Sequence, residues 1–512
     1  MEKDVCVRFA PSPTGPLHIG GLRTALFNYL FAKHYNGKML LRIEDTDRTR
    51  FVPGAEEYIK EALEWCGIVP DESPWIGGEN GPYRQSERKD IYHTYIKQLI
   101  EEGKAYYAFD TPAELEKMRE ELKEAKVDNP QYNAITRQKM SNSLTLTAEE
   151  VQKRIDEGVP YVVRLKVPAK EAIVVSDIVR GEVTVHSHTI DDKILLKSDG
   201  MPTYHMASVV DDHLMEVTHV IRGEEWLPSA PFHVMLYKYL GWEDSMPQFA
   251  HLPLLLKPSG KGKLSKRDGD KLGFSVFPLE WKDPSSGEVS SGFREDGFLP
   301  EAFTNFIALL GWNPGTEQEI FSLDELITAF SAERILKAGT KFDIEKAKWF
   351  NQQYIKHLSV EELSGYLLAE LKKENISCTP EKAALIAEAM QERIVFPQEL
   401  WANAKFFFFA PKAYDEKIAR KKWKAEAVDA FTAYKDAILA SDDFNRESAK
   451  EILTEVLESK GIGLGKVMQA LRLSITGLGG GPDLMLIMEV LGKDEVASRI
   501  DKAIASLASY AA

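Results

Sequence analysis

The sequence predicts an α/β fold: a core built on a parallel sheet, an α+β insertion within that core, and an all-α C-terminal half. Three patterns carry the expectation. Strand-like and helix-like segments alternate from Val5 to Glu102 and again from Thr203 to Leu240, the order that builds a parallel sheet with flanking helices. From about Thr111 the character changes to a highly charged helix, a polar loop and several short β-prone runs. From Glu301 to Ala512 the chain reads as successive helices, broken by Gly-rich turns such as Gly477 to Gly481.

Taken in order, Val5 to Ala10 alternates apolar and β-prone residues, as a buried first strand does. Pro11, Pro13 and Gly15 stop it. A helix is expected from His18 to Tyr35, with Leu22, Leu26, Phe27, Leu30 and Phe31 on one face and Asn36-Gly37 as the stop. A strand follows over Lys38 to Ile43, then helices over Gly54 to Trp65 and Ser86 to Glu102, the second ended by Gly103. In the insertion, Glu114 to Lys126 is the charged helix and Ser141 to Thr147 the polar loop. Tyr161 to Val167, Ala172 to Val175 and Glu182 to His186 read as antiparallel strands. Alternation resumes through Thr203 to Val210, His219 to Arg222 and Leu227 to Leu240, and Gln248 to His251 is strand-like. Pro278 to Gly297 is polar and rich in Pro, Gly and Ser, which predicts a surface loop.

Two segments carry the chemistry. Arg8 to Gly21 reads strand, glycine-rich turn, helix, and a helix N-terminus opened by small residues offers free N–H groups and a positive dipole end to an anion. Gly20 and Gly21 leave room for a nucleotide against the backbone, and His18 can donate to a phosphate. A helix cap with glycines for close packing would look similar. The second segment, Lys263-Leu264-Ser265-Lys266-Arg267, follows Gly260 and Gly262 and precedes Asp268-Gly269, which predicts a mobile loop rather than a helix. Mobile lysines suit charge that develops only transiently, as on the pyrophosphate leaving an ATP.

Together these segments resemble the two signatures of the class I aminoacyl-tRNA synthetases. Finer detail resembles their bacterial glutamyl branch: Arg-Phe-Ala-Pro-Ser-Pro-Thr-Gly from Arg8, Arg42 to Asp47, Tyr83 to Ser86, Pro202 to His205, Val210 to His213 and Ile221 to Trp226. The resemblance runs through most of the chain. It implies a Rossmann-type catalytic domain split over residues 1–110 and 201–262 and a connective insertion over 111–200 that grips a tRNA acceptor end. It also implies a lysine-loop and stem-contact region over 263–370 and an anticodon-binding helical domain over 371–512. The glutaminyl relatives use β-barrels for the anticodon instead, so the helical half separates the two branches.

The resemblance further implies residue roles. Arg8 and Arg222 would bind the two carboxylates of L-glutamate, since a guanidinium fork matches a carboxylate. Tyr204 and Ser208 would lie at the substrate's side-chain end, Glu44 would take its ammonium, and Ala10 and Ser12 would line the pocket with backbone. For ATP the implied set is Gly15, His18, Gly20, Gly21, Glu225, Leu256, Lys263, Ser265, Lys266 and Arg267, with His18, Lys263 and Lys266 as catalytic groups. Asp211-Asp212 could be a metal-binding or general-base pair, or serve a structural or RNA-positioning role; the structural side is favoured because activating an ionised carboxylate needs no base. Magnesium would arrive with ATP. The implied partners are tRNA(Glu), L-glutamate and ATP, the implied state a monomer, and adenylate formation is expected to wait for tRNA.

Composition agrees. The chain has 512 residues, 44% hydrophobic and 28% charged, which suits several soluble domains. Its net charge of −15 argues against indiscriminate RNA binding, although Lys412 to Lys424 is a basic stretch that reads equally as a solvated helix face or an RNA contact. No membrane span is evident and Met1 to Asp4 leads straight into the first strand, so no signal peptide is expected and the protein is read as cytoplasmic. Isolated Cys6, Cys66 and Cys378 imply a reducing compartment. Some relatives hold zinc near the equivalent of Tyr106 to Thr111; this stretch lacks cysteine, so no structural zinc is expected. A small-molecule nucleotidyltransferase would not need so long a helical half, and a non-catalytic paralogue typically loses the lysines or pocket residues kept here.

Overall fold

A computed structural model describes residues 4–127 and 129–511; residues 1–3, where the expected run into the first strand begins, and residues 128 and 512 lie outside the described residues. The chain forms two compact units, Met1–Asp296 with Pro300–Ile344, and Gly297–Leu299 with Glu345–Ala512.

The first unit is organised by strand β1 (Cys6–Phe9), which is buried along its whole length. Helix α1 (Ile19–His34) packs on it through Leu22, Leu26, Phe27 and Leu30, all at most 1% exposed. Burying each such side chain contributes about 1.5–3 kcal/mol relative to leaving it in water. The helix gives way at Asn36, which takes φ 54°, and Gly37 brings the chain against β1. A Cβ on Gly37 would meet the Val5 carbonyl oxygen at 2.1 Å, so only glycine allows the return into β2 (Lys38–Leu41). Helices α2 (Ala55–Trp65) and α3 (Lys89–Glu101) follow.

The insertion contributes β3 (Ala105–Ala108), α4 (Pro112–Glu124), α5 (Ala148–Asp156), β4 (Val162–Leu165), β5 (Ala172–Asp177), β6 (Gly181–His186) and β7 (Ile194–Leu196). Then come α6 (Tyr204–Leu214), β8 (His219–Gly223), α7 (Ala230–Tyr239), β9 (Gln248–Leu252) and β10 (Leu255–Leu256). The main sheet has six strands in the order β2-β1-β8-β9-β5-β6, all parallel except the last pair.

Five local expectations are corrected. The hairpin β5–β6 does not stay within the insertion: β5 runs parallel to β9 and extends the main sheet. Ile173, Val175 and Asp177 alternate inward on β5, and Val175 joins Phe249 in one apolar cluster, so the open edge of β9 is where that face can be buried. The outer strand β6 shows Glu182, Thr184 and His186 to solvent, which protects the sheet edge. Conversely β3, placed with the catalytic segment by its position, pairs with β4 in a separate antiparallel sheet of order β3-β4-β7.

The lysine segment is not loop throughout. Ser265 caps helix α8 (Lys266–Leu272) in a reciprocal capping box with Asp268. Nor is Pro278 to Gly297 a plain surface loop. It contains a hairpin of β11 (Trp281–Lys282) and β12 (Val289–Ser290), with Leu279 and Phe293 fully buried and Trp281 edge-on to Tyr58 at 5.4 Å. Helices α9 (Pro300–Ala308) and α10 (Leu323–Ala329) follow, and β13 (Thr340–Lys341) then interrupts the expected helical run to pair with β10.

The second unit is helical from Glu345 onward among the described residues. In its basic stretch, Trp423 is fully buried while Lys417, Arg420, Lys421 and Lys424 are exposed. The tryptophan anchors a helix whose charged face is solvated. At the cysteine-free stretch from Tyr106 to Thr111, Tyr106 and Ala108 join Met118 and Tyr132 in an apolar cluster, and the Tyr106 hydroxyl donates to Asp192 at 2.5 Å.

Candidate active site

The C-terminal ends of β1 and β8 open into a cavity of about 790 Å³. Arg8, Ala10, Ser12, Gly15, His18, Gly20, Gly21, Glu44, Tyr204, Arg222, Glu225, Lys263, Ser265 and Lys266 line it. The predicted residues from distant segments therefore meet in one place. Three do not line it. Ser208 lies one helical turn below Tyr204 on α6 and is fully buried, Leu256 sits on β10 against Gly339, and Arg267 is exposed on α8.

At one end, Arg8 is 3% exposed and donates through Nε to Asp212 at 3.0 Å. Asp212 also takes Arg42 at 2.9 Å, and Arg42 reaches Glu44 at 3.2 Å. Asp211, alongside, accepts from Arg88 at 2.7 Å and from Gln85 and Tyr92 at 2.9 Å. The Asp211-Asp212 pair is thus a buried scaffold of charge-assisted bonds beneath the cavity. Burial pushes the Glu44 carboxyl up to about 7, against the opposing pull of Arg42 and Arg8.

At the other end, Arg222 donates through Nη1 to the Tyr204 hydroxyl at 2.7 Å and through Nε to His251 Nε2 at 3.0 Å. Trp226 lies against the Tyr204 ring, centroids 4.4 Å apart, and is half-exposed.

His18 caps α1, its Nδ1 accepting from the Gly20 N–H at 3.1 Å. Burial, reinforced by the charge of Lys263, lowers its pKa to about 4, so the ring is neutral and its proton sits on Nε2. That nitrogen has no partner among the described residues. It is a buried donor awaiting an acceptor in the cavity. Lys263 pairs with Glu225 at 2.9 Å and Lys266 with Glu288 at 3.2 Å, both pairs well exposed.

A second cavity of about 820 Å³ shares Ser12, Glu44, Arg50, Tyr204 and Trp226 with the first, and in it Arg50 is joined by the cations Arg48, Lys89 and Lys197. Sequence reading assigned none of these four cations a role. The cluster Arg48-Thr49-Arg50 directly follows a recognised segment and was the available signal. His251, too, was read only as part of a strand.

Residues 4–349 match the catalytic domain of the class I tRNA synthetases (E and Q), and residues 344–504 an anticodon binding domain. The chain belongs to the class I tRNA synthetases of the E and Q type. Among its synthetase relatives, a glutamate--tRNA ligase of Cytophaga hutchinsonii is 61% identical, over 99% of this chain and 98% of that protein. One of Phocaeicola vulgatus is 56% identical, over 98% and 99%. A crystal structure of a glutamate tRNA ligase from Elizabethkingia meningosepticum, in complex with its amino acid, superposes with a TM-score of 0.95 at 53% identity, covering 99% of this chain and all of that one.

Proposed function

We propose that the cavity at the ends of β1 and β8 activates L-glutamate with ATP and that the second cavity admits the tRNA 3′ end, the chain working as a glutamate--tRNA ligase. The observation that carries this reading is the meeting of two buried guanidinia, Arg8 and Arg222, with the carboxyl of Glu44 in one cavity. An amino acid with two carboxylates and one ammonium has that complement of charge.

The α-carboxylate of glutamate attacks the α-phosphorus of ATP in line, forming glutamyl-adenylate and releasing pyrophosphate. A ribose hydroxyl of the tRNA 3′ end then attacks the adenylate carbonyl and releases AMP. The carboxylate is already ionised at neutral pH, so the chain contributes position and charge rather than a base. Arg8, Arg222 and Glu44 fix the amino acid, and His18 donates from Nε2 to a phosphate oxygen. Lys263 and Lys266 exchange Glu225 and Glu288 for the leaving pyrophosphate. Magnesium belongs with the triphosphate, where it offsets charge; no group of three or more His, Cys, Asp or Glu side chains is gathered for a metal among the described residues. The cations of the second cavity suit the phosphates of an incoming RNA end. We assign anticodon contact to the helical unit and the acceptor end to the insertion. The unpaired thiols of Cys6, Cys66 and Cys378 suit the reducing cytoplasm.

Pyrophosphate exchange and charging with labelled glutamate test the reading, run without tRNA, with tRNA(Glu) and with tRNA(Gln). Stable glutamyl-tRNA(Glu) is the expected product, with exchange dependent on tRNA, and charging of tRNA(Gln) defines the discrimination. Folded protein that binds tRNA yet shows neither activity overturns it.

A further inference from the structure

The two pocket arginines are held from behind by different chemistry. Arg8 gives its Nε proton to a carboxylate, Asp212, which it shares with Arg42. Arg222 gives its Nε proton to an imidazole nitrogen of His251, and it forms no ion pair among the described residues. His251 is itself fixed from its far side. Its Nδ1 lies 2.6 Å from Asp177 Oδ2, and the same oxygen accepts the His251 backbone N–H at 3.1 Å. Asp177 Oδ1 accepts the backbone N–H groups of Val179 and Arg180 at 2.9 and 2.7 Å. His251 and Asp177 have no exposed side-chain surface.

This wiring leaves one tautomer. An acceptor faces Nδ1 and a donor faces Nε2, so His251 carries its proton on Nδ1 and presents a lone pair to Arg222. Burial, with the neighbouring charge of Arg222, keeps the ring neutral despite Asp177. Asp177 remains ionised: burial alone would raise it, but the bonds from His251 and the Arg180 N–H hold it below the usual carboxylate range.

We propose that His251 and Asp177 are positioning residues that make the pocket select a carboxylate over an amide. They seat Arg222 with a neutral acceptor, so its charge remains for the side chain of the substrate. The inference rests on the reading that Arg222 meets the glutamate side chain. An amide there would leave a buried guanidinium without a counter-charge, which a carboxylate supplies. Asp177 reaches this position because β5 of the insertion pairs with β9.

The test is tRNA charging by the full-length enzyme, with KM for glutamate, KM for ATP and the glutamate-to-glutamine ratio of kcat/KM measured for each variant. Asp177→Asn keeps the turn bonds at Oδ1 but turns an N–H group towards His251 Nδ1, forcing the opposite tautomer against Arg222. It is expected to raise the glutamate KM about 10- to 100-fold with the ATP KM changed less than about 2-fold. His251→Glu supplies Arg222 with a counter-charge and is expected to lower the glutamate-to-glutamine ratio about 10-fold or more. His251→Gln, which keeps a neutral acceptor, is expected to preserve the ratio. A ratio unchanged in His251→Glu, or glutamate and ATP constants that rise together in Asp177→Asn, overturns the inference. Wild-type enzyme that charges no glutamate overturns the underlying reading instead.

Discussion

The amino-acid end of the cavity and the lysine segment are built on opposite principles. Arg8, Arg42, Asp211 and Asp212 are at most 3% exposed and share charge-assisted bonds from several elements, so their geometry exists before any substrate arrives. Lys263 and Lys266 reach only exposed carboxylates, which solvent screens to a value near zero. A pocket that must recognise a small charged molecule is prepaid in the fold. A group needed only when pyrophosphate leaves is kept loosely tied and free to move.

Removing a shared carboxylate breaks the rigid side of this contrast most severely. Asp212→Ala leaves Arg8 and Arg42 short of an anion in the interior and is expected to cost about 3–5 kcal/mol in urea unfolding. A loss under about 1 kcal/mol would mean the pocket is not held by this network. Lys266→Ala is expected to slow activation roughly 10²-fold in single-turnover measurements, with the melting temperature and glutamate KM unaltered. Unchanged turnover in that variant would remove the segment from catalysis.

The pH dependence sharpens the same contrast. Glu44 titrates near 7: above that pH it is anionic and can accept the substrate ammonium, and below it the carboxyl holds a proton and loses that capacity. The apparent glutamate KM is therefore expected to climb as pH falls through 7, by up to about tenfold per pH unit. Glu44→Gln should bind glutamate weakly and flatten this profile; a wild-type KM that ignores pH between 6 and 8 would contradict the role. Smallest is Glu288→Gln, which releases Lys266 from an exposed partner. Stability should move by less than about 1 kcal/mol and activation by no more than about twofold, upward.

Much of this was legible in the sequence, for reasons that differ by element. The turn from β1 to α1 is spelled by proline and glycine, whose backbone constraints act locally. Gathering Arg8, Glu44, Tyr204 and Arg222 into one pocket came from the family resemblance rather than from any local rule. The partner of β5 was not legible, because inward alternation of Ile173 and Val175 asks for a buried face without saying which sheet provides it. Ser208 shares a helix face with Tyr204, yet four residues of α6 carry it about 6 Å further along the axis, into the core and away from the cavity. The α8 start was written in Ser265 and Asp268, but the surrounding glycines outweighed that capping signal.

The placement of β5 has a consequence for anyone who would treat the insertion as a detachable module. Cutting the chain at about residues 111 and 200 to exchange the insertion with that of a relative removes Asp177, and with it two strands of the main sheet, β5 and β6. Such a chimera is a transplant of part of the amino-acid pocket as well as of the RNA grip. A seam that spares the pocket must leave Ala172–Asp177 with its own sheet.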